Sequence, residues 1–317
     1  MLNLVVLDDY QDYLSAYDFS NLSATVQVRS LKVHYSLEDL EHLLADCDIL
    51  VAMRERTTLP RTFLAKLPRL KLLITTGMRN EAIDPPSSLL FCGTRILSHP
   101  VVELTWALIL SLSRKLVSEN RSLISGNWQT SIGDSIQGKV LGVIGLGRSG
   151  EAIAKIGKAF GMNVISWSTN LDPERAKSVG VRAVSRSELF EQADVVTVHL
   201  RLSDRTHQLI GDQDFKRMKP TALFINTSRA QIVDTTALIR ALEKGSIAGA
   251  GVDVFDSEPL GLDSELLSAP NTLLTPHIGY VVNENYQLFF DDIAENVNNY
   301  LVGTPVRVIE KDEKKKG

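Results

Sequence analysis

The chain has 317 residues, 44% of them apolar and 23% charged, with a formal net charge of −4 at neutral pH. That length can bury a large core and suits two domains, and the composition is that of an ordinary soluble globular protein. The mild negative charge gives no reason to expect nucleic acid or an anionic membrane as partner. The two cysteines, Cys47 and Cys92, have neither metal nor redox spacing and suit a reducing cytoplasm.

In chain order, the opening MLNLVVLDDYQD lacks a basic n-region and reaches Asp8 and Asp9 at once, so it reads as a first strand and not as a secretion signal. Leu4 to Leu7, Thr25 to Val28, Ile49 to Met53 and Leu72 to Thr75 are strand-like. Ser36-Leu37-Glu38-Asp39 is a capping-box start to a helix carrying Leu40, Leu43 and Leu44. Alternating βα units of this kind imply a parallel sheet covered on both faces. On these residues alone, a lid or partner-surface role for this part stays open. A helix from Val101 to Val117 follows. Its most apolar stretch, Val101 to Ser113, contains Glu103, ends at Arg114 and Lys115, and is too short to span a bilayer.

Lys139 to Asn170 is the informative stretch. Val140 to Ile144 is a β-branched apolar run, followed by Gly145, Gly147 and Gly150. A helical pattern then runs through Ala152, Ile153, Ile156 and Ala159 to a stop at Gly161, and Val164 to Trp167 is apolar again. Strand, glycine turn, helix and strand are the first half of a dinucleotide-binding unit. The glycines permit a tight turn, close approach of backbone to a pyrophosphate, and close helix–strand packing, while the helix start offers amides to the phosphates. In a chain with 20 glycines the spacing alone could mark a turn and nothing more; the flanking strand and helix favour cofactor binding.

The alternation resumes with a helix over Ser187 to Gln192, strands Val195 to Val198 and Leu223 to Asn226, a helix over Thr236 to Lys244 closed by Gly245, and strands Ala250 to Val254 and Leu273 to Thr275. A final helix puts Tyr286, Phe289, Phe290, Ile293, Val297, Tyr300 and Leu301 on one face that must be buried, and Gly303 with Pro305 ends it. The tail EKDEKKKG reads as frayed. Two such sheets create a cleft between domains, a usual place for a small-molecule site.

Three late stretches lie where strands run into loops, the edge on which open α/β sheets bind ligands: INTSRAQIVD, GAGVDVFDSEP and TPHIGY. Each carries one useful polar residue: Arg229, Glu258 and His277. Singly, each has a bland explanation as a surface charge, a turn residue or a satisfied histidine. Together they make chemical sense. Arg229 is a planar, permanently charged fork for a carboxylate or carbonyl. His277 can exchange a proton near neutral pH. A carboxylate bonded to that ring would fix its orientation and favour the imidazolium.

With these residues in place, the sequence resembles the D-isomer-specific 2-hydroxyacid dehydrogenase family over nearly its whole length. GLGRSG, NTSRA, VDVF-x-x-EP and PHIG occur in the family's order and spacing. The resemblance implies a two-domain α/β enzyme, with a Rossmann-type doubly wound parallel sheet (residues 100–282) inserted into a smaller flavodoxin-like α/β substrate domain (residues 1–99 and 283–317). It implies Arg229 as the substrate-orienting arginine, Glu258 as the carboxylate partner and His277 as the acid/base. Gly145, Gly147, Arg148, Ser149, Gly150, Ser168, Thr169, Asn170, His199, Thr227 and Asp253 would bind an NAD(P) cofactor, Asp253 through the nicotinamide carboxamide. The backbone around Thr76, Gly77 and Met78, with Arg54, would meet a small 2-oxo or 2-hydroxy acid. A homodimer through the cofactor domain is implied, with Val101 to Gly138, including Trp128, as its surface. The expected activity is a cytoplasmic 2-oxo acid reductase acting on glyoxylate- or hydroxypyruvate-like substrates. The alternative is a non-catalytic dinucleotide sensor similar to the C-terminal binding protein corepressors. A formate-dehydrogenase-like activity is disfavoured by Glu258, since that relative has glutamine there. No metal is expected.

The departures from the family's pattern matter. Its NAD-users carry an acid after the second Rossmann strand, where this chain has Ser168, Thr169 and Asn170 and the first carboxylate is Asp172. The expectation leans to NADP. Arg201 and Arg175 are candidates to meet its 2′-phosphate, and the competing reading of both as solvated surface charges stands level with it. TTGMRNEAID also departs from the commoner pattern. Arg54 and Arg79 could serve a second acidic group on the substrate or pair with Glu55 or Glu81, and salt-bridging is the expectation for Arg79. Tyr280 narrows the expected pocket. His34, His42, His99 and His207 have no supporting constellation.

Overall fold

The computed structural model describes residues 1–310; the tail read as frayed lies, from position 311 on, outside the described residues. The chain forms two compact units, Met1–Leu97 with Val281–Gly317, and Ser98–Tyr280.

The first unit runs β1 (Leu2–Val6), β2 (Val26–Ser30), α1 (Leu37–Leu43), β3 (Ile49–Ala52), α2 (Arg61–Leu64), β4 (Leu72–Thr75) and β5 (Leu90–Gly93). All pairings are parallel, in the order β2-β1-β3-β4-β5. That is the flavodoxin-like doubly wound order. Strands β3 and β4 are buried along their whole length, which accounts for unbroken apolar runs where an open-faced sheet would alternate. Ser36 caps α1 by accepting the Asp39 amide (3.1 Å), and its hydroxyl donates to the Asp39 carboxylate (2.7 Å). Strand β5 and helix α2 were not expected from sequence.

The second unit opens with α3 (Pro100–Ser113) and α4 (Leu116–Ile124). The single helix expected from Val101 to Val117 is therefore two. Lys115, at φ 54°, turns the chain between them. Then come β6 (Val140–Ile144), α5 (Arg148–Ala159), β7 (Asn163–Trp167), α6 (Pro173–Ser178), β8 (Arg182–Ala183), α7 (Arg186–Gln192), β9 (Val195–Val198), α8 (Asp212–Phe215), β10 (Leu223–Asn226), α9 (Thr235–Glu243), β11 (Gly249–Val252) and β12 (Thr272–Leu274). The parallel sheet, read β8-β7-β6-β9-β10-β11-β12, has the Rossmann order with its reversal between β6 and β9. Helix α5 begins with Glu151 in its first turn and ends with Lys158 in its last, both matched to the helix dipole. It buries Ile153, Ala154 and Gly157, and α3's Trp106 packs in the same cluster.

The chain returns to the first unit as α10 (Asn283–Leu301). Its stripe is buried from Tyr286 through Phe289, Phe290, Ile293 and Val297. Tyr13 and Tyr17 close over Phe290 at centroid distances of 5.1 and 5.3 Å. Burying each phenylalanine contributes roughly 1.5–3 kcal/mol. The stripe stops short of the expectation: Tyr300 is half-buried and Leu301 exposed, because the helix ends there and Gly303 turns the chain at φ 77°. Asp292, fully buried, is matched by the Arg95 guanidinium at 2.7 Å and the Arg95 amide at 2.7 Å. A buried charge is tolerable only with such partners.

Candidate active site

The glycine turn links β6 to α5 next to the reversal point of the sheet. Gly145 takes φ 94°, and a Cβ there would lie 2.6 Å from the His199 carbonyl oxygen, so the turn passes hard against the loop after β9. A Cβ on Gly150 would collide with the Gly145 carbonyl oxygen. Gly147 differs: nothing in the protein lies within 4 Å of where its Cβ would be, its backbone is extended, and no side chain caps the start of α5. Uncapped amides facing open space beside a residue with no side chain fit a dinucleotide pyrophosphate. Gly147 and Arg148 are exposed and Ser149 half-buried.

At the end of β7, Ser168 is half-buried while Thr169 and Asn170 are exposed. Asp172 cannot stand in for the missing acid, because its carboxylate caps α6 by accepting the Glu174 amide at 3.0 Å. Arg175 pairs with Glu151 at 2.5 Å, whereas Arg201 is exposed. His199 is half-buried, its Nε2 lies 2.9 Å from the Thr197 hydroxyl, and burial pushes its pKa down to about 4. The unfolded chain takes up this proton near pH 6.5 and the folded chain only near 4. The associated stability is thus fully present above about 6.5 and lost as pH falls toward 4, by up to about 3 kcal/mol. His199→Gln should flatten that part of the profile of melting temperature against pH; an unchanged slope would contradict it.

The three chemical candidates follow three neighbouring strands. After β10, the Asn226 side chain donates to the Arg229 carbonyl (3.0 Å) and accepts the Ser228 amide (3.0 Å), so this loop is folded back on its own strand end. Arg229 Nη1 donates to the Ser228 carbonyl at 2.8 Å. Thr227 is buried, its hydroxyl 2.8 Å from that of Thr105 on α3, a contact with no sequence signal. After β11, Glu258 Oε1 accepts the Phe255 amide (2.8 Å) and Oε2 lies 2.6 Å from His277 Nδ1. After β12, His277 sits at φ 51°, a region sparsely used by residues other than glycine, with Tyr280 edge-on to its ring at 5.7 Å. The structure thus joins Glu258 to His277 directly and sets Arg229 at the adjoining strand end.

Asp253 has a role that spacing did not suggest. It is buried, and its carboxylate accepts the Thr275 hydroxyl (2.6 Å) and the Ile278 and Gly279 amides (2.9 Å each). Burial raises its pKa, outweighing the Thr275 and backbone hydrogen bonds that act the other way. Both oxygens are engaged with the loop that carries His277, so Asp253 also ties that loop to the end of β11.

In the first unit, the loop after β4 also differs in detail from expectation. The Thr76 amide donates to Ala52 and the Gly77 amide to the Thr94 hydroxyl, whereas the Met78 amide has no hydrogen-bond partner among the described residues. Arg54, named beside them, directs Nη1 to the Thr76 carbonyl (2.9 Å) and pairs with Glu55 (3.2 Å). Arg79 is exposed and forms no ion pair among the described residues, contrary to expectation. Of the unassigned histidines, His34 lies 3.4 Å from Asp8 and His99 precedes α3 as its cap residue. No group of residues suited to a metal occurs among the described residues, and none of the described helices is long and apolar enough to cross a membrane.

Residues 106–279 match the model of the D-isomer specific 2-hydroxyacid dehydrogenase NAD binding domain. The chain belongs to the D-isomer specific 2-hydroxyacid dehydrogenase family. It is 37% identical over 227 residues to a glyoxylate reductase of Thermococcus litoralis, covering 68% of each chain. A glyoxylate reductase of Aeropyrum pernix is 35% identical over 76% of each chain. Among solved structures, a phosphoglycerate oxidoreductase from Vibrio cholerae superposes with a TM-score of 0.91 at 35% identity, over 96% of this chain and 100% of that one. The family's nucleotide-binding model falls on the unit that carries the glycine turn and the Glu258–His277 pair, as the motif order implied.

Proposed function

We propose that the protein reduces a small 2-oxo acid of the glyoxylate or hydroxypyruvate kind to the corresponding 2-hydroxy acid, of D configuration where C2 becomes a stereocentre, using a nicotinamide dinucleotide. The observation that carries this reading is the 2.6 Å contact of His277 Nδ1 with Glu258 at the carboxyl edge of a Rossmann-ordered sheet. With Nδ1 engaged by the carboxylate, Nε2 is the ring atom left to give a proton to the ketone oxygen, or to take it back in the reverse direction. Arg229 would orient the substrate through its carboxylate and carbonyl. Gly145, Gly147 and Gly150 with the amides of Arg148 and Ser149 would hold the pyrophosphate, and Ser168, Thr169, Asn170, His199, Thr227 and Asp253 would line the rest of the cofactor's path. The bound nicotinamide supplies the hydride. Thr76, Gly77 and Met78 would receive the substrate carboxylate, Met78 by its amide.

The cofactor reading leans to NADP. Its support is the lack of a carboxylate at Ser168, Thr169 and Asn170 to repel a 2′-phosphate. Arg201 is the better of the two candidate arginines, since Arg175 is engaged by Glu151. A homodimer is proposed through the segment Val101 to Gly138, in which Leu116, Leu123, Ile124, Trp128 and Ile132 are each exposed, more large apolar side chains in one short stretch than a lone soluble unit ordinarily shows. Cytoplasmic residence is proposed on the two buried free thiols; burial pushes Cys47 to about 12 and Cys92 to about 11, so neither is a thiolate near neutrality. The reported relatives lend no support to the non-catalytic sensor.

The test is a panel of glyoxylate, hydroxypyruvate, pyruvate and bulkier 2-oxo acids, each with NADH and with NADPH, alongside sedimentation of the same preparation. Glyoxylate or hydroxypyruvate should lead, with NADPH favoured by roughly tenfold in kcat/KM. Tight dinucleotide binding with no turnover of any 2-oxo acid would restore the sensor reading. A clear NADH preference would overturn the cofactor assignment, and a monomer would overturn the dimer.

A further inference from the structure

We propose that Arg54 is a positioning residue for the Thr76–Met78 turn, and that its pairing with Glu55 makes this turn select 2-oxo acids with a single acidic group over those bearing a second carboxylate or a phosphate. The inference rests on the reading above, in which that turn receives the substrate carboxylate.

A cation at the end of β3 beside such a turn would ordinarily suit a second anionic group. Here the cation is already used. Arg54 holds φ 56°, an uncommon conformation for a long side chain, and three hydrogen bonds keep it there. Its amide donates to the Thr76 hydroxyl (2.8 Å), Nη1 donates to the Thr76 carbonyl (2.9 Å), and its own carbonyl accepts Asn80 Nδ2 (2.6 Å). Gly77, at φ 91°, lies directly against the guanidinium, and a Cβ at this position would collide with Nη1. On the far side the Thr94 hydroxyl takes the Gly77 amide at 2.8 Å. The turn is thus clamped by Arg54 and Thr94, and the Met78 amide beyond it remains to meet a carboxylate.

Glu55 supplies the selectivity. Its carboxylate stands 3.2 Å from Arg54 Nη2, and the two side chains are only 13% and 16% exposed. At that burial the pair is weakly screened, so the guanidinium presents little net positive field and a second anion would approach a partly desolvated carboxylate. A monocarboxylate needs only the amide.

The experiment measures kcat and KM for glyoxylate, for 2-oxoglutarate and for a phosphorylated 2-oxo acid, in wild type, Arg54→Met, Arg54→Lys and Glu55→Gln, with dinucleotide affinity and melting temperature recorded for each. Arg54→Met should raise KM for glyoxylate by roughly tenfold or more with little change in dinucleotide affinity, and Arg54→Lys should recover part of it. Glu55→Gln should shift the ratio of kcat/KM toward the diacidic substrates by roughly tenfold. Should Arg54→Met melt much earlier than wild type, the Glu55→Gln ratio still decides. The inference is overturned if wild type prefers a diacidic substrate, if Arg54→Met impairs only the diacidic substrates, or if Glu55→Gln leaves the ratio unmoved. Absence of turnover of every 2-oxo acid by wild type would instead overturn the functional reading itself, and the inference with it.

Discussion

His277→Ala is expected to lower kcat for 2-oxo acid reduction by about a thousandfold, within the 10²–10⁴ range typical for removal of a general acid–base, while dinucleotide affinity stays close to wild type. The imidazole is held by one carboxylate at 2.6 Å and by a backbone at φ 51°, so alanine removes the proposed proton donor and leaves Glu258 without its partner. Glu258→Gln should cost less. The amide can still meet Nδ1, but it cannot balance a charged ring, and it presents that ring with either a donor or an acceptor. Steady-state kinetics with a parallel fluorescence titration of the dinucleotide separates chemistry from binding. Turnover of His277→Ala near that of wild type would remove the ring from the reaction and leave the Glu258 contact a structural one.

The second large effect is a contrast between two glycines of one turn. Gly150→Ala drives a methyl group into the Gly145 carbonyl, a backbone atom that cannot swing aside. We expect a loss of about 1–3 kcal/mol, a melting temperature lower by roughly 4–10 °C and much weaker dinucleotide binding. Gly147→Ala meets nothing within 4 Å at a backbone conformation alanine can adopt, so stability should stay within about 1 kcal/mol of wild type. Dinucleotide affinity should still fall by roughly tenfold or more, because the methyl group takes the space through which a pyrophosphate reaches the helix amides. Thermal melts and titrations on the two variants check both limbs. Unimpaired binding by Gly147→Ala would show that the dinucleotide does not use this turn.

Much of the second unit was legible in its sequence because each signal there has a local physical cause. The glycine turn sits between an apolar strand and an amphipathic helix, and α9 is announced by Asp234, whose carboxylate accepts the Ala237 amide. What escaped was non-local. Strand β5 is four residues, LFCG, recognisable only through its pairing with β4 and the Gly93 and Ile309 amide contacts that flank it. The break at Lys115 lies in a run of good helix formers, with no glycine or proline to mark it. The order of Arg229, Glu258 and His277 could be read from motif spacing, but the duty of Asp253 depends on three donors arriving from a loop more than twenty residues downstream. Arg54 likewise ended on a carbonyl and a neighbouring carboxylate, and nothing in MRERT distinguishes that from an outward-facing cation.

The distribution of parts along the second unit has an evolutionary corollary. The groups proposed to meet the pyrophosphate and the 2′-phosphate occupy an earlier stretch of chain, from β6 to the loop after β9, and the proposed proton-handling groups, with Thr227 and Asp253 of the proposed cofactor path, a later one, from β10 to Tyr280. Two uninterrupted blocks of gene can therefore drift separately. Coenzyme preference can change by substitution in the first block while the acid–base pair in the second is inherited intact, so relatives with one reaction can be expected to divide between NAD and NADP.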